Sequence, residues 1–555
     1  MSDRCRGITT DIHTMGDIAP DSAVKKPWLS EFQADGSHST SMTASLTKIA
    51  AEQQWQFDAT TLAQTKKERG HFGTAPAIAD FMAGMFRPIA RQQARVLDAG
   101  AGVGTLSAAL CQRFLDQQSA SRLYFELWEN DPRLHARLSR TMESCRDALR
   151  NAGHEMDFVI RTDDFILEHG QPSLFHEASG GAFDLAIMNP PYFKVRKDSD
   201  IAQAMAHVVY GQPNIYVFFM AVAADLLSDG GQLVVITPRS YFNGPYFKRF
   251  RKWFFDRMTV RQIHVFESRD TAFREDQVLQ ENVILLAEKK ARPQEVLLTS
   301  SRDRSFNSLE RHALPYASVV EGASGDHLIR VATNALERKV VEAVDALPCR
   351  FRDLPFRIST GPVVTFRATE FLCIERAQDT APLLWMHNVR PFAMRFRPKN
   401  GKPMHIRATD DSMRLLLPAK RYVLLKRFTA KEERRRLVAG IVEATDSYAP
   451  LLGLENHLNY VYRPDGELTR DEALGLAAFF NSALIDRYFR AISGNTQVNA
   501  AEIRAMPVPD VETIRKIGKD IAAGSDTAPE AVERIVGKAI GIPATEIAEL
   551  CEIAT

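Results

Sequence analysis

The 555-residue chain exceeds the size at which a single hydrophobic core stops growing, so two or more domains are expected. Hydrophobic content of 45% and charged content of 25% are ordinary for a globular chain, and a formal net charge of +1 confines any polyanion-binding surface to a local asymmetry. Cys5, Cys111, Cys145, Cys349, Cys373 and Cys551 form no CxxC pair, which argues against a metal site or a disulfide framework and fits a reducing cytoplasm. No signal-peptide core and no apolar run long enough to span a bilayer is found, so no membrane partner is expected.

Residues 1–45 are polar and aperiodic and read as a disordered leader, with Met42 a candidate later start. A helical pattern follows, and GHFGTAPAIADFMAGMF (70–86) makes a turn and opens a helix near Pro76. From 95 to 287 the apolar runs RVLDA, LYFELWE, DFVIRT, FDLAIM, QLVVIT, QIHVFE and NVILLA alternate with longer helical patterns. That alternation predicts an α/β domain over 46–295, built on a mostly parallel, doubly wound sheet. Beyond it the reading is a linker and helix over 296–350, a mixed α+β region over 351–510 and a helical tail over 511–555.

The chemistry sits at the ends of successive strands. The first runs into Asp98-Ala99-Gly100-Ala101-Gly102-Val103-Gly104, a GxGxG loop with an acid two residues before it. Glycines there let a ligand approach the backbone, while the carboxylate of Asp98 disfavours a pyrophosphate and suits a cationic or zwitterionic ligand such as S-adenosylmethionine. The second strand ends LWENDP, where Glu129 can accept both ribose hydroxyls. The third ends RTDDF, with Asp164 and Phe165 positioned to bond an adenine amino group and pack its ring. The fourth ends Asn189-Pro190-Pro191-Tyr192, and two prolines oblige the chain to leave the sheet. Alone, each of these is a strand end; together and in order they describe a site.

DAGAGVG, WENDP, TDDF and NPPY, in this order and spacing, resemble the γ-class adenine-N6 DNA methyltransferases of restriction–modification systems, the TaqI-like group. The resemblance spans 66–290 and extends more loosely to about 510, where the chain is similar to PstI- and BsuBI-type modification enzymes. It implies a Rossmann-like class I methyltransferase sheet followed by a target-recognition domain over 351–510. It also implies S-adenosylmethionine as cofactor, with Thr74 in the motif over its methionine end, and no metal. Asn189 and Pro190 would then supply two carbonyl acceptors for the adenine amine, and Tyr192 a stacking face for the flipped base. Phe273 is carried over as the ring on its other side. Double-stranded DNA and a separately encoded cognate endonuclease are the expected partners, with the protein a monomer. Enzymes that methylate RNA or a protein glutamine amide also use NPPY, and remain the alternative.

Between Arg390 and Arg436 there are fifteen Lys/Arg against four Asp/Glu, interleaved with Phe392, Phe396, Tyr422 and Phe428. Such a concentration in a near-neutral chain predicts a surface for the DNA backbone, with Arg427, Arg434, Arg435 and Arg436 as candidate contacts. A second basic stretch, Arg239 to Arg261, follows the fifth strand. LENHLNYVY and GNTQVNAAEIR supply Asn456, Asn459 and Asn499, amides of the kind that read adenine edges.

Overall fold

The computed structural model describes residues 45–547 apart from 61–72, 90–91, 118–121, 171–181, 210–213, 267–281, 293, 304–305, 322–324, 333, 397–400, 430–432, 494–496, 525–526, 544 and 546. The expected leader and Phe273 lie outside the described residues.

All seven expected strands form. They are β1 (Gln93–Ala99), β2 (Arg122–Trp128), β3 (Glu155–Arg161), β4 (Phe183–Met188), β5 (Leu227–Pro238), β6 (Met258–Phe266) and β7 (Asn282–Lys289). Two more, β8 (Glu295–Ser301) and β9 (Glu310–Pro315), complete a nine-stranded sheet of order β3-β2-β1-β4-β5-β7-β6-β8-β9. Strands β1 to β5 are mutually parallel, and β7 runs antiparallel to both of its neighbours. Strand order reverses between β1 and β4, so their carboxyl ends flank the crevice in which open α/β sheets bind ligands. Five of the six residues of β4 are buried, as expected of a central parallel strand covered on both faces.

Helices Thr105–Gln117 and Pro132–Asn151 follow β1 and β2. The second starts at Asp131, whose carboxylate accepts from the Arg133 amide, with Pro132 in the first turn where its missing N–H costs nothing. Helix Pro76–Met85 docks on the first through Arg113, which donates to the carbonyls of Ala83 and Phe86.

The sequence reading ended the sheet domain at 295; the sheet continues to Pro315. The expected helical tail is also more than an appendage. Helix Val511–Gly524 crosses helix Arg470–Asn481 so closely that a Cβ on Gly475 would lie 1.9 Å from the Ile514 carbonyl oxygen, and one on Gly518 1.9 Å from that of Asp471. Ile514, Ile517 and Ile521 join Phe479, Phe480 and Phe489 in one core with strands of the C-terminal half. Strands Arg357–Thr360, Leu458–Tyr462, Tyr422–Lys426 and Ala439–Val442 form a four-stranded sheet against that core, and a five-stranded sheet stands beside it.

Candidate active site

A cavity of about 340 Å³ opens at the carboxyl ends of β1–β4, lined by Gly100, Gly102, Glu129, Asp163, Asp164, Phe165, Asn189 and Pro191 among others. The glycine loop, the acids after β2 and β3, and the amide after β4 thus share one space. Gly100, Gly102 and Gly104 all have positive φ, which favours glycine. A Cβ on Gly102 would meet no protein atom within 4 Å, so the room beside that backbone belongs to the cavity; one on Gly104 would lie 2.9 Å from Leu138.

Backbone donors fix the acids. Glu129 accepts from the Gly102 amide at 2.9 Å through one carboxylate oxygen and from the Asp131 amide at 2.8 Å through the other. The carboxylate is thereby oriented while each oxygen keeps a further lone pair. Asp164 Oδ1 accepts from the Ile166 and Leu167 amides at 2.9 and 3.0 Å, capping the short helix Phe165–His169. Phe165 is buried against Trp128 and Phe219, an aromatic wall for the cavity.

Asp98 is fully buried. Its Oδ2 accepts from the Ser107 hydroxyl at 2.6 Å, and its Oδ1 has no hydrogen-bond partner among the described residues. Burial pushes its pKa up to about 7, the Ser107 hydroxyl opposes that rise, and the nearby Glu129 carboxylate adds to it. An orphaned buried carboxylate oxygen fits a cationic ligand.

Asn189 stands where β4 leaves the sheet. Its Nδ2 donates to Thr74 Oγ1 at 3.0 Å, and its Oδ1 lies 2.6 Å from the Tyr192 hydroxyl. That hydroxyl also lies 2.9 Å from the Ile236 carbonyl oxygen on β5. A phenol has one proton, so Tyr192 can donate to only one of these acceptors at a time. When the proton goes to Ile236, the Asn189 carbonyl is left to accept from another donor. The loop after β1 abuts this turn: a Cβ on Gly100 would be 4.0 Å from the Asn189 carbonyl oxygen. Gln54, Phe57, Asn130, Phe193, Ile215 and Phe219 also line the cavity and were missed from sequence. Only Asn130, inside WENDP, carried any local signal.

The proposed DNA contacts are placed less uniformly. Arg434 is exposed. Arg435 is drawn inward to the buried Glu533 at 3.6 Å, and Arg436 is fully buried, donating to Thr429 Oγ1 at 3.1 Å with its guanidinium 5.8 Å from the Phe489 ring centre. Asn459 is fully buried too, accepting from Thr360 Oγ1 and donating to the Val498 carbonyl. These bonds correct two expectations: Arg436 cannot reach a phosphate, nor Asn459 a base edge, without dismantling the core. Asn499 precedes helix Ala500–Ala505 and donates its amide to Glu502. Arg427 bonds the Asn456 carbonyl and Gln497, which keeps Arg427 and Asn456 side by side and partly accessible. Tyr422, expected among the interleaved surface aromatics, is buried.

Strand order and the cavity at the sheet reversal define a class I methyltransferase fold. Residues 113–273 match the family described as Eco57I restriction-modification methylase. The type II methyltransferase M.BsuBI of Bacillus subtilis is 35% identical over 463 residues, covering 82% of this chain and 91% of that protein. M.PstI of Providencia stuartii is 33% identical over 470 residues, covering 84% and 92%. The chain belongs to the type II DNA methyltransferases of restriction–modification systems. Among solved structures, the type IIL restriction-modification enzyme MmeI in complex with DNA is 11% identical, with a TM-score of 0.48 over 91% of this chain and 72% of that one. The type IIG restriction endonuclease BpuSI is 13% identical, with a TM-score of 0.42 over 88% and 66%.

Proposed function

We propose that the enzyme methylates the exocyclic amine of an adenine flipped out of duplex DNA, with S-adenosylmethionine as donor. The observation that carries this reading is the meeting of Asn189 with Glu129 and Asp164 around one cavity. Glu129 would hold the ribose, Asp164 and Phe165 the cofactor's adenine, and Asp98 with Thr74 the methionine end. When bound, the cofactor supplies a methyl group already activated by its sulfonium, so the chain needs neither a covalent nucleophile nor a metal.

The protein's task is to make a poor nucleophile attack. The lone pair of the adenine amine is delocalised into the ring, and accepting from both of its N–H groups draws it out of conjugation. Asn189 Oδ1 and the Pro190 carbonyl are the two acceptors, held by the rigid Pro-Pro turn so that no reorganisation is needed as charge develops. Tyr192 accommodates the incoming donor by turning its hydroxyl hydrogen bond to the Ile236 carbonyl, the proton staying on the phenol, and its ring is the stacking partner of the base, with Phe273 proposed on the opposite face. An adenine within a duplex cannot offer this amine to a cavity, so flipping is required. Membership in a DNA-modifying family favours this substrate over RNA or a protein amide.

Residues 351–510 are the proposed recognition region. Arg427 and Arg434 there would face the DNA backbone, and Asn456 and Asn499 the bases, while Arg435 is turned inward to Glu533. The protein would act as a cytoplasmic monomer beside a separately encoded nuclease; among the described residues no helix is long and apolar enough to cross a membrane. The test is transfer of tritium from labelled S-adenosylmethionine to duplex DNA, followed by nucleoside analysis. Label in N6-methyladenine supports the reading. Label in cytosine, or in RNA or protein alone, rejects it.

A further inference from the structure

A lone exposed aromatic is ordinary on a protein surface; Tyr246 differs in what holds it. It is 78% exposed, at the tip of the turn that follows β5, between the short helices Arg239–Phe242 and Lys248–Phe255. The fully buried Arg251 is spent on that turn: its guanidinium donates to the carbonyls of Tyr241 at 3.1 Å, Gly244 at 2.7 Å and Asp326 at 2.9 Å. Gly244 is required as well, since a Cβ there would lie 2.7 Å from the Ser240 carbonyl oxygen. Ser240 is tied at 2.8 Å to the hydroxyl of the buried Tyr216. A buried cation, a sterically required glycine and a buried tyrosine therefore brace the backbone of the turn that carries this exposed ring.

That ring stands beside the catalytic turn. β4 and β5 are parallel neighbours, so NPPY and this turn leave the same edge of the sheet. Two ring-to-ring steps of 6.2 Å each, Tyr192 to Tyr216 and Tyr216 to Phe247, connect Tyr192 with the residue next to Tyr246. The flanking Lys248 and Arg249 are exposed; Lys248 is paired with Asp326 at 2.6 Å, and Arg249 makes no ion pair among the described residues. A solvent-facing aromatic on a braced turn, with the exposed Arg249 beside it and next to the turn proposed to receive the flipped base, suits the stacked interior of a duplex.

We propose that Tyr246 inserts its ring into the duplex beside the nucleotide being flipped, stacking on the bases left behind. This rests on the adenine-flipping reading above. The test uses the full-length protein and a duplex carrying its own methylation site, located by mapping N6-methyladenine, with 2-aminopurine in place of the target adenine. Wild-type enzyme should raise the 2-aminopurine fluorescence. Tyr246→Ala should lose most of that rise and, on the same duplex with its target adenine intact, at least tenfold in kcat/KM, while binding S-adenosylmethionine as wild type does. Tyr246→Phe and Tyr246→Trp should retain both properties. An abasic site opposite the target, which removes the pairing to be broken, should restore the alanine variant to within about threefold of wild type.

Wild-type fluorescence and turnover in Tyr246→Ala overturn the proposal while leaving adenine methylation standing. Equal losses in the alanine and phenylalanine variants overturn it by assigning the effect to the hydroxyl. Loss of cofactor binding in the alanine variant overturns it by assigning the ring a structural role. A wild-type protein that transfers no methyl group to any duplex overturns both readings.

Discussion

Replacing Asp98 should separate what the fold needs from what the site needs. Its buried carboxyl has a pKa pushed up to about 7, against about 3.9 in an unfolded chain. The folded state thus favours the protonated form. Below about pH 4 the group is neutral in both states and has no effect on stability. From about pH 4 to pH 7 the unfolded chain gains by ionising and the folded chain does not, so stability falls; above about pH 7 the full cost is present. Three pKa units at about 1.4 kcal/mol each give a cost of up to about 4 kcal/mol. Asp98→Asn keeps an acceptor for the Ser107 hydroxyl and removes the ionisation. In guanidinium unfolding the variant should gain several kcal/mol over wild type between about pH 4.5 and pH 8.5, the wild-type curve supplying most of the change. Calorimetry should show its affinity for S-adenosylmethionine reduced at least tenfold at the upper pH. A variant-to-wild-type difference constant within about 0.5 kcal/mol across that range would refute the argument.

Asn189→Ala should abolish methyl transfer while changing cofactor affinity only a few-fold; turnover near wild type would remove Asn189 from the mechanism. Tyr192→Phe keeps the stacking ring but deletes the proton shared between Asn189 and Ile236, so kcat should fall about tenfold with duplex affinity unchanged, and a loss in affinity instead would assign the hydroxyl to base binding. Arg434→Glu should weaken binding to DNA of any sequence and lower the salt dependence by about one phosphate contact, whereas Arg436→Glu should lose about 3–5 kcal/mol of stability by burying an anion near Asp486. Melting temperatures and salt titrations decide between them, and identical melting of both variants would contradict the burial. Asn456→Ala should change discrimination by about 1–3 kcal/mol for each misread base pair, measured on cognate and scrambled duplexes, and uniform weakening would make it a backbone contact.

The seven strands of the catalytic sheet were legible because each is a short apolar run between helical patterns. β8 was not, and the reason lies in its buried hydroxyls. Thr299 and Ser301 are buried to serve His264 on β6, whose ring nitrogens lie 3.0 and 3.1 Å from their oxygens. A strand whose buried second half is Thr299, Ser300 and Ser301 leaves only Val296, Leu297 and Leu298 as an apolar run, too short to stand out from a connector. β9 lies at the sheet edge and is mostly solvent-facing, so it carried no hydrophobic signal either. The place of helix Val511–Gly524 depends on Gly475 and Gly518 meeting two backbones, and in sequence a glycine inside a helix only weakens the case for that helix.

The same contrast divides the site from the DNA surface. Asp98 lies near the end of β1, and Glu129, Asp164 and Asn189 come within three residues of the ends of β2, β3 and β4, so the parallel order of β1–β4 brings four distant positions to one edge, the last three of them lining the cavity. Their placement could be read locally. A basic run has no such guide. Arg434, Arg435 and Arg436 are adjacent, yet their fates diverge because the groups that draw two of them inward, Glu533 for one and Thr429 with Phe489 for the other, come from separate parts of the chain. Asn459 is likewise claimed by Thr360 and Val498. Charge composition therefore marks only a stretch of chain, and tertiary contacts decide which of its cations and amides stay at the surface. The corrections fall on Arg436 and Asn459 and leave Arg434 and Asn456 as the pair whose replacement should separate affinity from specificity.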